Sequence, residues 1–440
     1  MIRALTVAAL ALMAVLGPVS GTADAHSGKQ SYLYISVFDD GVEGRVEMPV
    51  VDLAAALEIE LPTDVAGARS AVDAMTPTIR DYAIANTSLG DTEGPWKLDF
   101  DEQLSILPTE NGPYVLLDFA VDEPFDTAPR TFVAEFSVII ESNPEKDALL
   151  LIENDWGSAT FINESEPLLG FSIGATEQTA VLDESSTLQS MGAVRGLGTD
   201  AIRTGIDLLL LVAAVTLLAL TARSENGQLA SLGETLQRTA RSFGLLVLVA
   251  TPVLWLIGLG AASPPSRAVG IVVSLALGSI AVVSIVARLA ALRPMVLTTT
   301  TIAAGAVLGA GLGRLFIDAG LDRRSATLSL ISFEVGVLAA TVLIVACMAG
   351  PLLLLRDTRL FTLVSVLLGI ALIGYSIAWL GERGLDTEWP IEEVANPLRV
   401  WPRNFWFVAA ALGAAALWRR IDGGADTDSD AARIEEPSTS

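Results

Sequence analysis

The second half of the chain leaves little choice of environment. Apolar segments near 202–222, 243–262, 268–292, 296–318, 327–355 and 360–380 are each long enough to cross a hydrocarbon core, which takes about 20 residues as a helix. A seventh, 403–418, is shorter, but Trp401, Trp406 and Trp418 bound it as interfacial anchors would. In hydrocarbon the backbone must satisfy its own hydrogen bonds, so such a series folds as a bundle of helices. Composition agrees. Of the 440 residues 52% are apolar and 18% charged, against about 25% charged in soluble proteins.

Charges in the connections orient this bundle. With residue 198 outside, the inward connections carry pairs such as Arg238 and Arg241, Arg288 and Arg293, and Arg356 and Arg359. The outward loop after the sixth segment carries Glu382, Asp386, Glu388, Glu392 and Glu393. That is the positive-inside pattern, with Arg323 and Arg324 running against it on the outward side. Seven spans within 199–419 then put the C-terminus in the cytoplasm of a plasma-membrane protein. The Asp/Ser/Glu-rich tail, 420–440, is expected to be disordered.

The first half has a different character. Residues 1–25 have the form of a secretory signal: Arg3, an apolar stretch from Ala4 to Leu16, and Ala23-Asp24-Ala25 as a cleavage site. Residues 26–198 hold 31 Asp/Glu against eight Lys/Arg, a net −23 of the chain's −24. β-rich runs recur at Tyr32–Phe38, Val42–Val50, Pro113–Val121, Arg130–Glu141, Ala148–Glu153, Ser158–Ile162 and Gly170–Ile173, divided by turn residues such as Asp39-Asp40-Gly41. This spacing predicts an antiparallel, sandwich-like extracytoplasmic domain. One helix is expected from Asp64 to Asn86, where apolar residues recur at helical spacing and Pro77 should kink or split it.

Scarce residue types exclude several chemistries. A single Cys (Cys347) and a single His (His26) rule out a disulfide framework and any two-histidine metal centre. No nucleophile–base pair stands out, so an enzyme is not expected, nor a cofactor. The acidity argues against nucleic acid, whose phosphates need Lys and Arg. The bilayer is the evident partner. An extracytoplasmic protein partner and a homo-oligomer are both compatible with the residues.

The first span reads Gly198-Thr-Asp-Ala201-Ile-Arg-Thr-Gly205-Ile-Asp207-Leu208-Leu-Leu. It resembles the opening membrane motif of the HupE/UreJ family, Gly-x-x-His-Ile-x-x-Gly-x-Asp-His-Leu-Leu, whose members are associated with nickel supply to hydrogenase and urease. Ala201 and Leu208 stand in the two histidine places. Further matches follow in order. Thr239-Ala240-Arg241-Ser242 is similar to the Thr-x-x-His-Ser start of the second span. Ser266-Arg-Ala-Val269-Gly270 resembles Ser-x-x-Val-Glu. Gly305-Ala-Val-Leu308-Gly309-Ala-Gly311 resembles Gly-Leu-x-His-Gly-x-Gly, and Phe333-Glu334-Val-Gly336-Val337-Leu338 resembles Phe-Asn-x-Gly-Val-Glu. The likeness runs from about 26 to 385 and ends in Trp379-x-x-Glu-Arg383. It implies a metal-handling membrane protein. The replaced positions argue against metal ligation here, since nickel and similar ions want imidazole with or without carboxylate. Arg241, Gly270, Ala201 and the leucines supply neither.

Four charged residues remain within or beside the spans at similar depth: Arg203, Asp207, Arg314 and Glu334. Intramembrane charges are paired or functional. One reading is a residual cation path through Asp207 and Glu334. The other is an internal ion pair in which Arg314 or Arg203 replaces a missing metal. His26, as the mature first residue, adds a weaker metal candidate through its amine and imidazole; a mobile terminus is the alternative. Cys347 reads as packing. The functional expectation is therefore a transporter-like membrane protein for a divalent cation or small solute, its family's metal ligands lost. The alternative is a membrane-anchored extracytoplasmic binding or assembly module. If the charge pattern sets the topology, a reporter fused after Asp422 will score as cytoplasmic and one inserted near Asp386 as exported; an exported C-terminal fusion contradicts seven spans.

Overall fold

A computed structural model describes residues 30–38, 41–109, 111–122, 125–140, 142–143, 146–163, 165–222, 231–290, 292–321, 326–385 and 410–418. The signal segment, His26, Arg323 and Arg324, the start of the seventh apolar segment and the tail lie outside the described residues. Two units are present. One reaches to Val194 and also takes in Ala319–Ser329; the other holds Arg195–Asp318 and the chain from Leu330.

Most of the alternating runs form strands. These are β1 (Ser31–Val37), β2 (Val42–Pro49), β3 (Thr87–Asp91), β4 (Gly94–Pro95), β5 (Leu98–Phe100), β6 (Ser105–Leu107), β7 (Tyr114–Val121), β8 (Thr131–Phe136), β9 (Ala148–Asp155), β10 (Pro167–Phe171) and β11 (Glu177–Val181). One sheet runs β10-β9-β1-β2-β7-β5 with β6 also on β7; the other runs β11-β8-β3-β4. The expectation of a wholly antiparallel arrangement is corrected at one place, since β1 and β9 pair in parallel. The chain reaches β9 through β8, which belongs to the other sheet, and that crossover lets β9 enter in β1's direction. The central strand is buried along its whole length. Leu33, Ile35 and Val37 join the main core, while Tyr32 and Tyr34 join Tyr114 and Leu151 in a second cluster.

Ser158–Ile162 is not a strand. Buried Asp155 accepts the backbone N–H groups of Gly157 and Ser158, both at 2.9 Å, and winds the chain into a short 3₁₀ turn. Arg130 holds the same carboxylate from the other side, with Nη1 2.8 Å from both oxygens. The helices of this unit are α1 (Val50–Leu57) and α2 (Val65–Ala85). Asp64 caps α2 by accepting the Gly67 N–H at 2.8 Å. Pro77 was expected to kink or split α2; it does not split it, and the helix runs through from Val65 to Ala85. Pro77 removes the N–H that Asp73's carbonyl would accept, and the neighbouring Thr76 hydroxyl donates to that carbonyl at 3.2 Å.

The helical unit continues from α3 (Thr187–Thr204) through α4 (Ile206–Thr221), α5 (Leu232–Gly258), α6 (Ser266–Leu289), α7 (Pro294–Asp318) and α8 (Ala326–Leu355) to α9 (Arg359–Leu385). Five of these are long and apolar enough to cross a membrane, or six when α3 and α4, bent by 71° at Gly205, count as one broken span. Of the seventh segment, 410–418 is helical.

On the large sheet, Arg45 lies over the Tyr34 ring at 5.0 Å and binds Glu47 at 2.8 Å. Burial alone would lower the Arg45 pKa, but Glu47, Glu153 and Asp118 outweigh it and raise it. Asp118 on β7 is raised, first by burial; Arg45 opposes this, while Asp101, Glu47 and Glu43 add to it. A raised carboxyl favours the protonated folded state, so its ionisation at neutral pH opposes folding. Asp118→Asn should therefore stabilise this unit at pH 7, and the gain should fade as pH falls towards about 4, the ordinary carboxyl range, and be absent below it. Melting curves of the two proteins across pH check this, and an advantage that grows on acidification contradicts it.

Candidate intramembrane charge site

Small residues set the spacing of this bundle. Gly305, Gly309 and Gly313 recur every fourth residue on α7 and face α5. A methyl group at Gly305 would stand 2.7 Å from the Leu246 carbonyl oxygen, and one at Gly313 2.7 Å from Ile257 Cβ. Gly198 and Gly336 play the same part where α3 meets α8, each facing a backbone carbonyl of the other helix. Close backbone approach of this kind drives helix association where the solvent is itself apolar.

Asp207 sits in the first turn of α4, just after the bend. A side chain at Gly205 would collide with the Ala201 carbonyl, so the bend depends on glycine there. Asp207 Oδ1 accepts the Leu208 N–H at 2.9 Å, and Oδ2 accepts from Arg383 Nη2 at 3.2 Å. An anion in the first turn also suits the helix dipole. Arg383, in the last turn of α9, donates from Nη1 to the Gly270 carbonyl at 3.0 Å and lies 5.5 Å from the centre of the Trp379 ring. Arg267 fastens this helix end, with Nε 2.8 Å from the Arg383 carbonyl oxygen.

Glu334 on α8 is held differently. It accepts the Thr251 hydroxyl and the Trp255 indole N–H, the latter at 2.9 Å, both from α5. The four-residue cluster expected from sequence thus comes apart. Arg314 binds Asp318 one turn along α7, and Arg203 binds Asp200 on α3 at 3.3 Å. Each arginine has a carboxylate on its own helix, and neither reaches Asp207 or Glu334 among the described ion pairs.

Three partners of the carboxylates, Arg383, Thr251 and Trp255, escaped the sequence reading. The available signal was Gly270, an empty place in a helix opposite an arginine. Two of the other positions that depart from the motif are packed. Leu208 is buried, its Cδ2 2.7 Å from where a Gly311 methyl would stand, and Leu308 is buried too. Arg241 is exposed. Among the described residues no three His, Cys, Asp or Glu side chains come together, and Cys347 is half-buried as a free thiol.

The family model described as HupE / UreJ protein matches residues 176–383. That segment is a HupE/UreJ domain. It begins at β11 and closes on Arg383, which is narrower than the 26–385 expected, since the β-rich unit before residue 176 lies outside it. Comparison with curated proteins and with solved structures yields no significant match. The match over this segment and the apolar helices mark a membrane protein.

The Asp207 and Arg383 side chains are 21% and 29% exposed. Their pair ranks between an exposed one, worth about 1 kcal/mol at most, and a fully buried one, whose breakage costs roughly 3–5 kcal/mol. Arg383→Leu should destabilise the detergent-solubilised protein by about 1–3 kcal/mol, and adding Asp207→Leu should restore much of it. Arg314→Leu should cost only about 0.5 kcal/mol, as for other pairs one turn apart. Thermal melts that rank Arg314→Leu as the more damaging change would refute this assignment.

Proposed function

We propose that the chain is a transporter-like HupE/UreJ-type protein of the plasma membrane that handles a small solute other than a bare divalent metal ion. The single observation behind this reading is the Asp207–Arg383 pair. The first carboxylate of the domain already carries its counter-cation, and the counter-cation is covalent. Glu334, the other one, is taken up by two neutral donors on α5. With Leu208 and Leu308 packed and Gly270 filled by arginine, the histidine and glutamate places of the family hold no ligand. The chain acts without catalysis and without a cofactor. Its β-rich unit faces outward and its C-terminus inward. The arginines of the connections carry this orientation; the path of the chain, which leaves the β-rich unit at Val194 and rejoins it at Ala319, asks only that both junctions lie on one side. Between those points lie the bent span and α5, α6 and α7, an even number of crossings.

That return also favours a second reading, a membrane-anchored extracytoplasmic binding module with the bundle as platform. The α7–α8 connection is built into the β-rich unit, where a methyl group at Gly320 would stand 3.2 Å from the Phe38 ring.

Cells expressing the protein should accumulate no more nickel or cobalt than cells with an empty vector. Saturable uptake that is lost in Asp207→Asn would overturn the reading and restore the family's metal.

A further inference from the structure

Arg383 is held as a bound ligand is held. Its guanidinium meets an anion at Asp207 Oδ2, 3.2 Å away, an acceptor at the Gly270 carbonyl, 3.0 Å away, and a flat aromatic face at Trp379. Carboxylate, carbonyl and indole together suit a planar, delocalised cation with several N–H donors. The room for it comes from residue 270. A Cβ there would lie 2.9 Å from Arg383 Cδ and 3.1 Å from Nε and Nη1. Glycine is otherwise unfavourable inside a helix, and Gly270 is inside α6.

The two partners differ in freedom. Asp207 is anchored beside a helix bend, with Oδ1 on the Leu208 N–H. Arg383 is a long side chain in the last turn of α9, and that turn is secured by Arg267.

We propose that Asp207, the Gly270 carbonyl and Trp379 form a binding site for a guanidinium-headed organic cation, and that Arg383 fills it as a tethered stand-in which withdraws to open it. The proposal rests on the transporter-like reading and names its solute class. A tethered group competes at an effective concentration in the millimolar range, so a free cation binds measurably only when the tether is cut or withdrawn.

The test uses the full-length protein in detergent, with melting followed against millimolar guanidinium or methylguanidinium and sodium chloride as the ionic-strength control. Arg383→Ala should show a saturable rise in melting temperature, with apparent affinity at least tenfold tighter than wild type. Arg383→Ala combined with Asp207→Asn should lose the response. A response in Arg383→Ala no stronger than in wild type, or no stronger than in the double variant, overturns the proposal. So does stabilisation of Arg383→Ala by nickel chloride in place of guanidinium, which would make the vacated site a metal site. If Arg383→Ala cannot be purified, Arg383→Gln keeps the bulk without the charge. It should show the same Asp207-dependent response at lower affinity, and its failure to do so is equally decisive. Nickel uptake by wild-type cells would defeat the functional reading while a guanidinium response stood, so the two failures are distinguishable.

Discussion

A charge inside a membrane bundle must be answered by the protein, because the surrounding hydrocarbon offers neither counter-ion nor water. Even the milder scales assign about 2.5–3.5 kcal/mol to one ionised carboxylate at the centre of a span. Two carboxylates of the helical unit, Asp207 and Glu334, receive answers that differ in kind. Glu334 receives a hydroxyl and an indole N–H, two neutral donors from one helix. Asp207 receives a guanidinium, which cancels its charge. The second answer makes demands elsewhere. The arginine needs space, which Gly270 leaves, and its helix end needs holding, which Arg267 supplies.

The packing that carries these contacts rests on glycine. With Gly305, Gly309 and Gly313 letting α7 approach α5 at backbone distance, the helices need few large side chains between them, and the bundle holds together without a hydrophobic driving force. Gly311 turns to another neighbour and seats Leu208. Leu208 is therefore a packing residue matched to a glycine across the helix pair.

Length and hydropathy made the spans legible, since about 20 apolar residues in hydrocarbon admit one backbone solution. Alternation likewise disclosed β1, β2, β7 and β9. It missed β3 and β11, short strands whose polar residues break the pattern, and it misread Ser158–Ile162 because the side chain of Asp155 overrides strand propensity there. Pro77 misled for a similar reason, since Thr76 compensates for the missing N–H. For the charges, depth along a span could be read but direction around it could not. Arg314 and Arg203, expected at the level of Asp207, each turn to a carboxylate on their own helix. The true partner, Arg383, lies 176 residues from Asp207 in sequence, a separation that no local spacing rule spans.

The asymmetry of the Asp207–Arg383 pair carries the functional argument one step further. A carboxylate at a helix start gains from the helix dipole whether or not a cation is bound, so Asp207 can keep its place when its partner leaves. Arg383 at the end of α9 also sits where a cation is favoured, but on a long stem in a terminal turn. Any opening of this site therefore begins with the arginine, and the anion stays behind as the fixed half of the site. A tethered guanidinium can only step aside, so the position keeps a resident occupant.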